Sequence, residues 1–118
     1  MNTDAWLVVM LGAVLSLSCN GERKAECDRL LAAMKPVEQG GLGADAVDSA
    51  RQAIDAIQFQ DQPLREYASS TKATLTVLSN TLRVQASDSA PDGTDDLVKE
   101  KRKEALGEEG DVAHYCSE

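Results

Sequence analysis

LREYASSTKATLTVLSNTLRVQA, residues 64–86, is the stretch that decides the fold. Leu64, Tyr67 or Ala68, Thr71, Leu75, Leu78, Leu82 and Gln85 recur three or four residues apart, so on a helix they trace one face. Thr71, Thr74, Thr76 and Thr81 work against helix, because branching at Cβ restricts χ1 beside the preceding turn. Read alone, TLTVL at 74–78 would pass for a strand. Its alternation stops there, whereas the helical repeat continues across the whole stretch, and helix wins. Asp61-Gln62-Pro63 supplies the start: Asp61 or Gln62 caps the first turn, and Pro63 takes the first helical position, where a missing N–H costs nothing.

Working outward, residues 44–60 carry Val47, Ala50, Ile54 and Ile57 on one face and Asp48, Arg51, Gln52 and Asp55 on the other. Asp45 suits the positive end of that helix, and Asp48 with Arg51 makes a surface pair. Earlier still, Cys27, Leu30, Leu31 and Met34 form an apolar stripe over residues 22–35. Pro36 is expected to end or kink this helix, since it lacks an N–H and clashes with the turn before it. Gly40-Gly41-Leu42-Gly43 then breaks the chain, without the Lys and Ser/Thr of a phosphate-binding loop.

On the C-terminal side, SDSAPDGT at 87–94 reads as a loop. Thr94 is the expected N-cap, with Asp95 and Asp96 in the first turn. Residues 95–106 form a charge-dense fourth helix contributing Leu97, Val98, Ala105 and Leu106, which Gly107 and Gly110 are expected to interrupt. A separate short turn over 111–117 then presents Val112 and Tyr115 or Cys116, within reach of Cys27. The pattern is all-α: a small antiparallel up-down bundle of three to four helices, with the helical domain at 27–118.

The bulk properties narrow the function. Net charge is −8 over 118 residues, about −7 without Asp4. An acidic chain repels phosphate backbones, so nucleic acid is excluded as a partner. Trp6, Phe59, Tyr67 and Tyr115 are the only aromatic residues, too few and scattered for a stacking platform or a cation cage.

Residues 5–17, AWLVVMLGAVLSL, are an apolar run of 13. A membrane-spanning helix needs about 20, but the h-region of an export signal needs no more than this. Ser16-Leu17-Ser18 and then Cys19 follow. This stretch resembles the lipobox of bacterial lipoproteins, in which a small residue precedes the cysteine that receives diacylglycerol and becomes the new N-terminus. The resemblance implies a signal peptide at 1–18, lipidation of Cys19 and a flexible tether at 19–26, CNGERKAE. It departs from the lipobox in having Ser16 where Leu, Val or Ile is usual, and no Lys or Arg precedes the apolar run. Ser16 and Ser18 also satisfy the small-x-small rule of ordinary signal peptidase, which would leave a secreted, unlipidated chain. The layout is similar to that of small bacterial lipoproteins with a helical mature domain framed by two cysteines, a likeness that carries no activity with it.

Three cysteines are present, Cys19, Cys27 and Cys116. If lipid consumes Cys19, then Cys27 and Cys116 remain as a pair in an oxidising compartment, where a disulfide is expected; two free buried thiols are the alternative. No Cys-x-x-Cys occurs, so redox and haem-attachment sites find no support.

Each remaining chemical candidate has a plainer reading. His114, beside Tyr115 and Cys116, lacks the companion ligands of a zinc site and reads as a surface histidine. Asp88, Asp92, Asp95 and Asp96 surround Gly93, but an EF-hand register would put Ala90 third and Lys99 twelfth, so this is an acidic loop and helix start. Glu108, Glu109 and Asp111 show no cleft or aromatic holder for acid–base chemistry. Lys99, Lys101, Arg102 and Lys103 alternate with Glu100 and Glu104 as a solvated face. The expectation is therefore a membrane-anchored envelope lipoprotein, non-enzymatic, with no cofactor, metal or catalytic residue. Its partners are membrane lipid through acylated Cys19 and another envelope protein. Asn20, where Asp would favour inner-membrane retention, points to the outer membrane. The alternative is a periplasmic or secreted carrier or inhibitor.

Overall fold

In the computed structural model, residues 21–39 and 43–118 are described. They form four helices and no strand: α1 over residues 21–38, α2 over Ala44–Asp55, α3 over Gln62–Gln85 and α4 over Thr94–Cys116. The signal peptide expected at 1–18 and the lipidation expected at Cys19 fall outside the described residues.

α3 organises the rest. Asp61 caps it, its carboxylate accepting from the Leu64 N–H at 3.2 Å, with Pro63 in the first turn. Leu64, Ala68, Thr71, Leu75, Leu78 and Leu82 are buried along the expected face. Tyr67 is half-buried and Gln85 is exposed. The buried surface is wider than a single stripe, adding Thr74, Ser79 and Thr81, because α3 packs against both α2 and α4. The threonines that weaken intrinsic helicity are satisfied locally: Thr76 and Thr81 donate to the carbonyls of Lys72 and Val77, one turn back.

Cross-helix contacts fix the directions. Asp48 and Asp55 of α2 meet Arg83 and Lys72 of α3. Thr74 and Gln85 of α3 meet Glu108 and Asp95 of α4. Cys27 of α1 is bonded to Cys116 of α4, while Glu38 lies against Glu109. In each pair one number rises as the other falls, so neighbours are antiparallel, as an up-down bundle requires. Val47, Ala50 and Ile54 of α2 join Leu30, Met34 and Val37 of α1 and the apolar face of α3 in one core.

Of the two outcomes left open at Pro36, the helix does not end there, and four other boundaries differ from the sequence reading. α1 runs through Pro36 to residue 38: proline in the last turn removes one backbone bond, and burying Val37 beyond it offsets that loss. The tether expected over 19–26 is already helical from 21, and Glu26 is buried. α2 stops at Asp55 rather than Gln60, because the chain turns at Ala56 to drive Phe59 into the core. α4 is unbroken from Thr94 to Cys116. Gly107 and Gly110 each cost only about 1 kcal/mol in a helix, and Val98, Ala105 and Val112, seven residues apart and all buried, hold that seam together. The cap of α4 is Gly93, at φ 90°, rather than Thr94. The Thr94 hydroxyl instead donates back to the Pro91 carbonyl at 2.6 Å.

Candidate functional site

The cysteine pair expected from the sequence is joined. Cys27, buried in the first turns of α1, is disulfide-bonded to Cys116 at the end of α4, with Cα atoms 6.0 Å apart and a sequence separation of 89. α1 begins at this end of the bundle.

Around the cystine a polar lattice joins α1, the α2–α3 connector and α4. Glu26 is only 1% exposed, and its Oε1 accepts from the N–H groups of Gln60 at 2.9 Å and Asp61 at 3.2 Å. Those amides sit where the chain turns into α3 and would otherwise be unpaired. The Arg23 guanidinium lies 4.2 Å over the Tyr115 ring and donates to the Tyr115 carbonyl at 2.6 Å, which also accepts from the Glu118 N–H at 3.3 Å beyond the last turn of α4. The Tyr115 hydroxyl donates to Asp61 Oδ2 at 2.7 Å. That bond to a carboxylate, with burial second, raises the tyrosine above its ordinary value. The Tyr67 ring packs at 5.7 Å from that of Tyr115. Each charged group of the lattice contacts the end of an element: Glu26 and Asp61 the start of α3, Arg23 the end of α4.

The cap at Asp61 follows from the sequence, whereas the contacts of Glu26 and Arg23 do not. Glu26 falls in the segment expected as a flexible tether, 19–26. The signal for its burial was its spacing, four residues before Leu30 and eight before Met34, on the stripe side of α1.

Between the ends, the α1–α4 seam contains carboxylates. Glu108 and Glu109, expected as exposed acids in a broken tail, are half-buried because the helix is continuous. Glu108 Oε1 accepts from the Thr74 hydroxyl at 2.6 Å. Burial, followed by the hydrogen bond and charge of Glu38, pushes Glu109 up to about 7, with Lys35 opposing. A shared proton between two carboxyls is an ordinary way to reconcile them in a seam. No third ligand converges there: among the described residues, no group of three His, Cys, Asp or Glu side chains could hold a metal ion.

At the opposite end, α3 finishes and α4 begins. Arg83 is bound by Asp48 and Asp45 of α2 and donates to Ser79 at 2.6 Å. Hydrogen bonds from Ser79 and Arg83 hold Asp48 below the usual carboxylate range. On the other side of α3, Asn80, Thr81 and Val84 face Pro91, Asp92, Gly93, Thr94 and Leu97 across an open cleft of about 340 Å³. Asp88, Asp92, Asp95 and Asp96 are all exposed here. Asp95 accepts from the Gln85 amide at 2.8 Å. His114 is exposed, 3.7 Å from Glu118, where a surface histidine was expected. No described helix is long and apolar enough to cross a membrane.

No family model, curated protein or solved structure matches this chain.

Proposed function

We propose that the chain is a bacterial envelope lipoprotein: exported, cleaved before Cys19, anchored by diacylglycerol on that cysteine, and acting without catalysis as a helical module that binds another envelope protein. The observation that carries this reading is the partition of the sulfurs. Cys27 and Cys116 are spent on one another, and the one cysteine left follows an apolar run and Ser16-Leu17-Ser18. A disulfide suits an oxidising compartment, and an export signal accounts for how the chain gets there. The polar groups at the cystine end are engaged in holding helix termini, which supports a scaffold rather than a reaction centre.

A lipid at Cys19 would place the cystine end against the bilayer, since α1 is helical from residue 21 and leaves almost no slack. The test is fractionation and labelling in cells. The wild-type chain is expected in the membrane fraction, labelled by radioactive palmitate, and Cys19→Ser is expected to lose the label and stay uncleaved. An unlabelled wild-type chain, cleaved and recovered in the soluble periplasm, would replace this reading with the secreted carrier or inhibitor.

A further inference from the structure

Val77, Val84 and Leu97 stand 41%, 43% and 39% exposed, although most large apolar side chains of α3 and α4 are buried. Val77 and Val84 are seven residues apart, so they share a face of α3. Val84 and Leu97 line the open cleft at the end away from the cystine, with Pro91 closing it. Asp92 lies in the cleft wall, and an adjoining depression is lined by Asp92, Asp95 and Asp96. From Ser87 to Asp96 there are four aspartates and no Lys or Arg. The dipole of α4 explains acids at 95 and 96, but not Asp88 and Asp92 before the helix, nor the apolar side chains between them.

We propose that this cleft docks a cationic amphipathic segment of another envelope protein, with apolar side chains on Val84, Leu97 and Pro91 and Lys or Arg over the aspartates. Charge complementarity selects the occupant. Anionic headgroups would be repelled by the same rim, and a second copy of this chain brings a net charge of −8. Position agrees. α3 has 24 residues and is therefore about 36 Å long, so the cleft lies roughly that far from the end that the lipid would hold. The inference rests on the envelope-lipoprotein reading for the identity of the compartment, while the surface itself is independent of the anchor.

The test uses the full chain, isotopically labelled and held in nanodiscs of zwitterionic lipid, with binding to empty discs subtracted. The probe is a synthetic helical Lys/Leu peptide with leucines at i, i+3, i+4 and i+7. Its controls are the same peptide with every Lys replaced by Glu, and with every Leu replaced by Ser. The Lys/Leu peptide is expected to shift the amide signals of Thr81, Val84, Gly93 and Leu97, and neither control to do so. The double variant Val84→Ser, Leu97→Ser should weaken binding about tenfold or more, equivalent to about 1.4 kcal/mol. Asp92→Asn with Asp96→Asn should weaken it and flatten its salt dependence.

Binding of the Glu/Leu peptide at equal strength, shifts mapping elsewhere, or affinity untouched by these variants would overturn the proposal. So would concentration-dependent shifts at the cleft without peptide, which mean a second copy occupies it. Failure of the anchor appears only in the Cys19→Ser fractionation, and failure of the cleft only in this titration.

Discussion

At the cystine end the bundle is closed by a covalent bond, by a buried carboxylate holding two backbone amides, and by a tyrosine hydroxyl that reaches a helix cap. At the far end α3 and α4 are joined by a loop whose hydroxyls fold back on nearby carbonyls, from Ser87 to Val84 and from Thr94 to Pro91, and Val84 and Leu97 are left exposed. The difference separates two tasks along one pair of helices. Cross-links are concentrated at the end where α1 begins, and apolar surface is left exposed at the end where we propose docking. A charged residue is buried at the closed end because backbone donors there need it; at the open end the charges stay in water.

The comparison breaks most visibly if the closed end does not carry the stability. Removing the 89-residue loop closure with Cys27→Ser and Cys116→Ser is expected to cost about 4.5 kcal/mol in the chain-entropy account. For a domain of this size that lowers Tm by roughly 20 °C or more, read by circular dichroism with and without reductant. Next in size, Glu26→Ala strands the amides of Gln60 and Asp61 and should cost about 2 kcal/mol. Glu26→Gln keeps a carbonyl acceptor and should recover most of that, which a denaturant titration of both variants will show. At the open end Gly93→Ala places a side chain at φ 90°, worth about 1 kcal/mol.

Midway, Glu109 makes the seam pH-dependent. Its value is raised from 4.5 to about 7, so the folded chain holds that proton more tightly than the unfolded chain does. Its contribution is fully favourable below pH 4.5 and is lost as pH rises toward and through about 7. Glu109→Gln should therefore raise Tm at pH 8, by a modest amount because the residue is only partly buried, and leave it unchanged at pH 4. Smallest of all, Val84→Ser with Leu97→Ser should shift stability by no more than about 0.5 kcal/mol. A large loss there would mean these side chains are core, and the open end is not open.

Much of this architecture was legible because it depends on spacing. The apolar repeat of α3, the Asp61–Pro63 start and the parity of three cysteines are local or arithmetic signals, and each has its counterpart in the fold. What could not be read depends on contacts far along the chain. Gly107 and Gly110 are weak breakers that lose to the seam of Val98, Ala105 and Val112. α2 ends at Asp55 and Phe59 is buried beyond it, a long-range contact that no local signal announces. Glu26 looks like any surface acid until the amides of residues 60 and 61 arrive beside it. The cleft was visible only in part. Its aspartates stood out as a group and Val84 falls outside the apolar repeat of α3, but Leu97 counted with Val98 and Ala105 as apolar surface of α4, because exposure is decided by which neighbours a helix has.

The division of the three sulfurs is the claim on which the rest turns. Intact mass spectrometry of the chain purified from membranes without reductant tests it directly. The account predicts a polypeptide beginning at Cys19, heavier by a diacylglyceryl group on that residue, and lighter by two hydrogens than its reduced form. A chain still beginning at Met1, or an N-terminal Cys19 bearing a free thiol or bridged to Cys27 or Cys116, would contradict it.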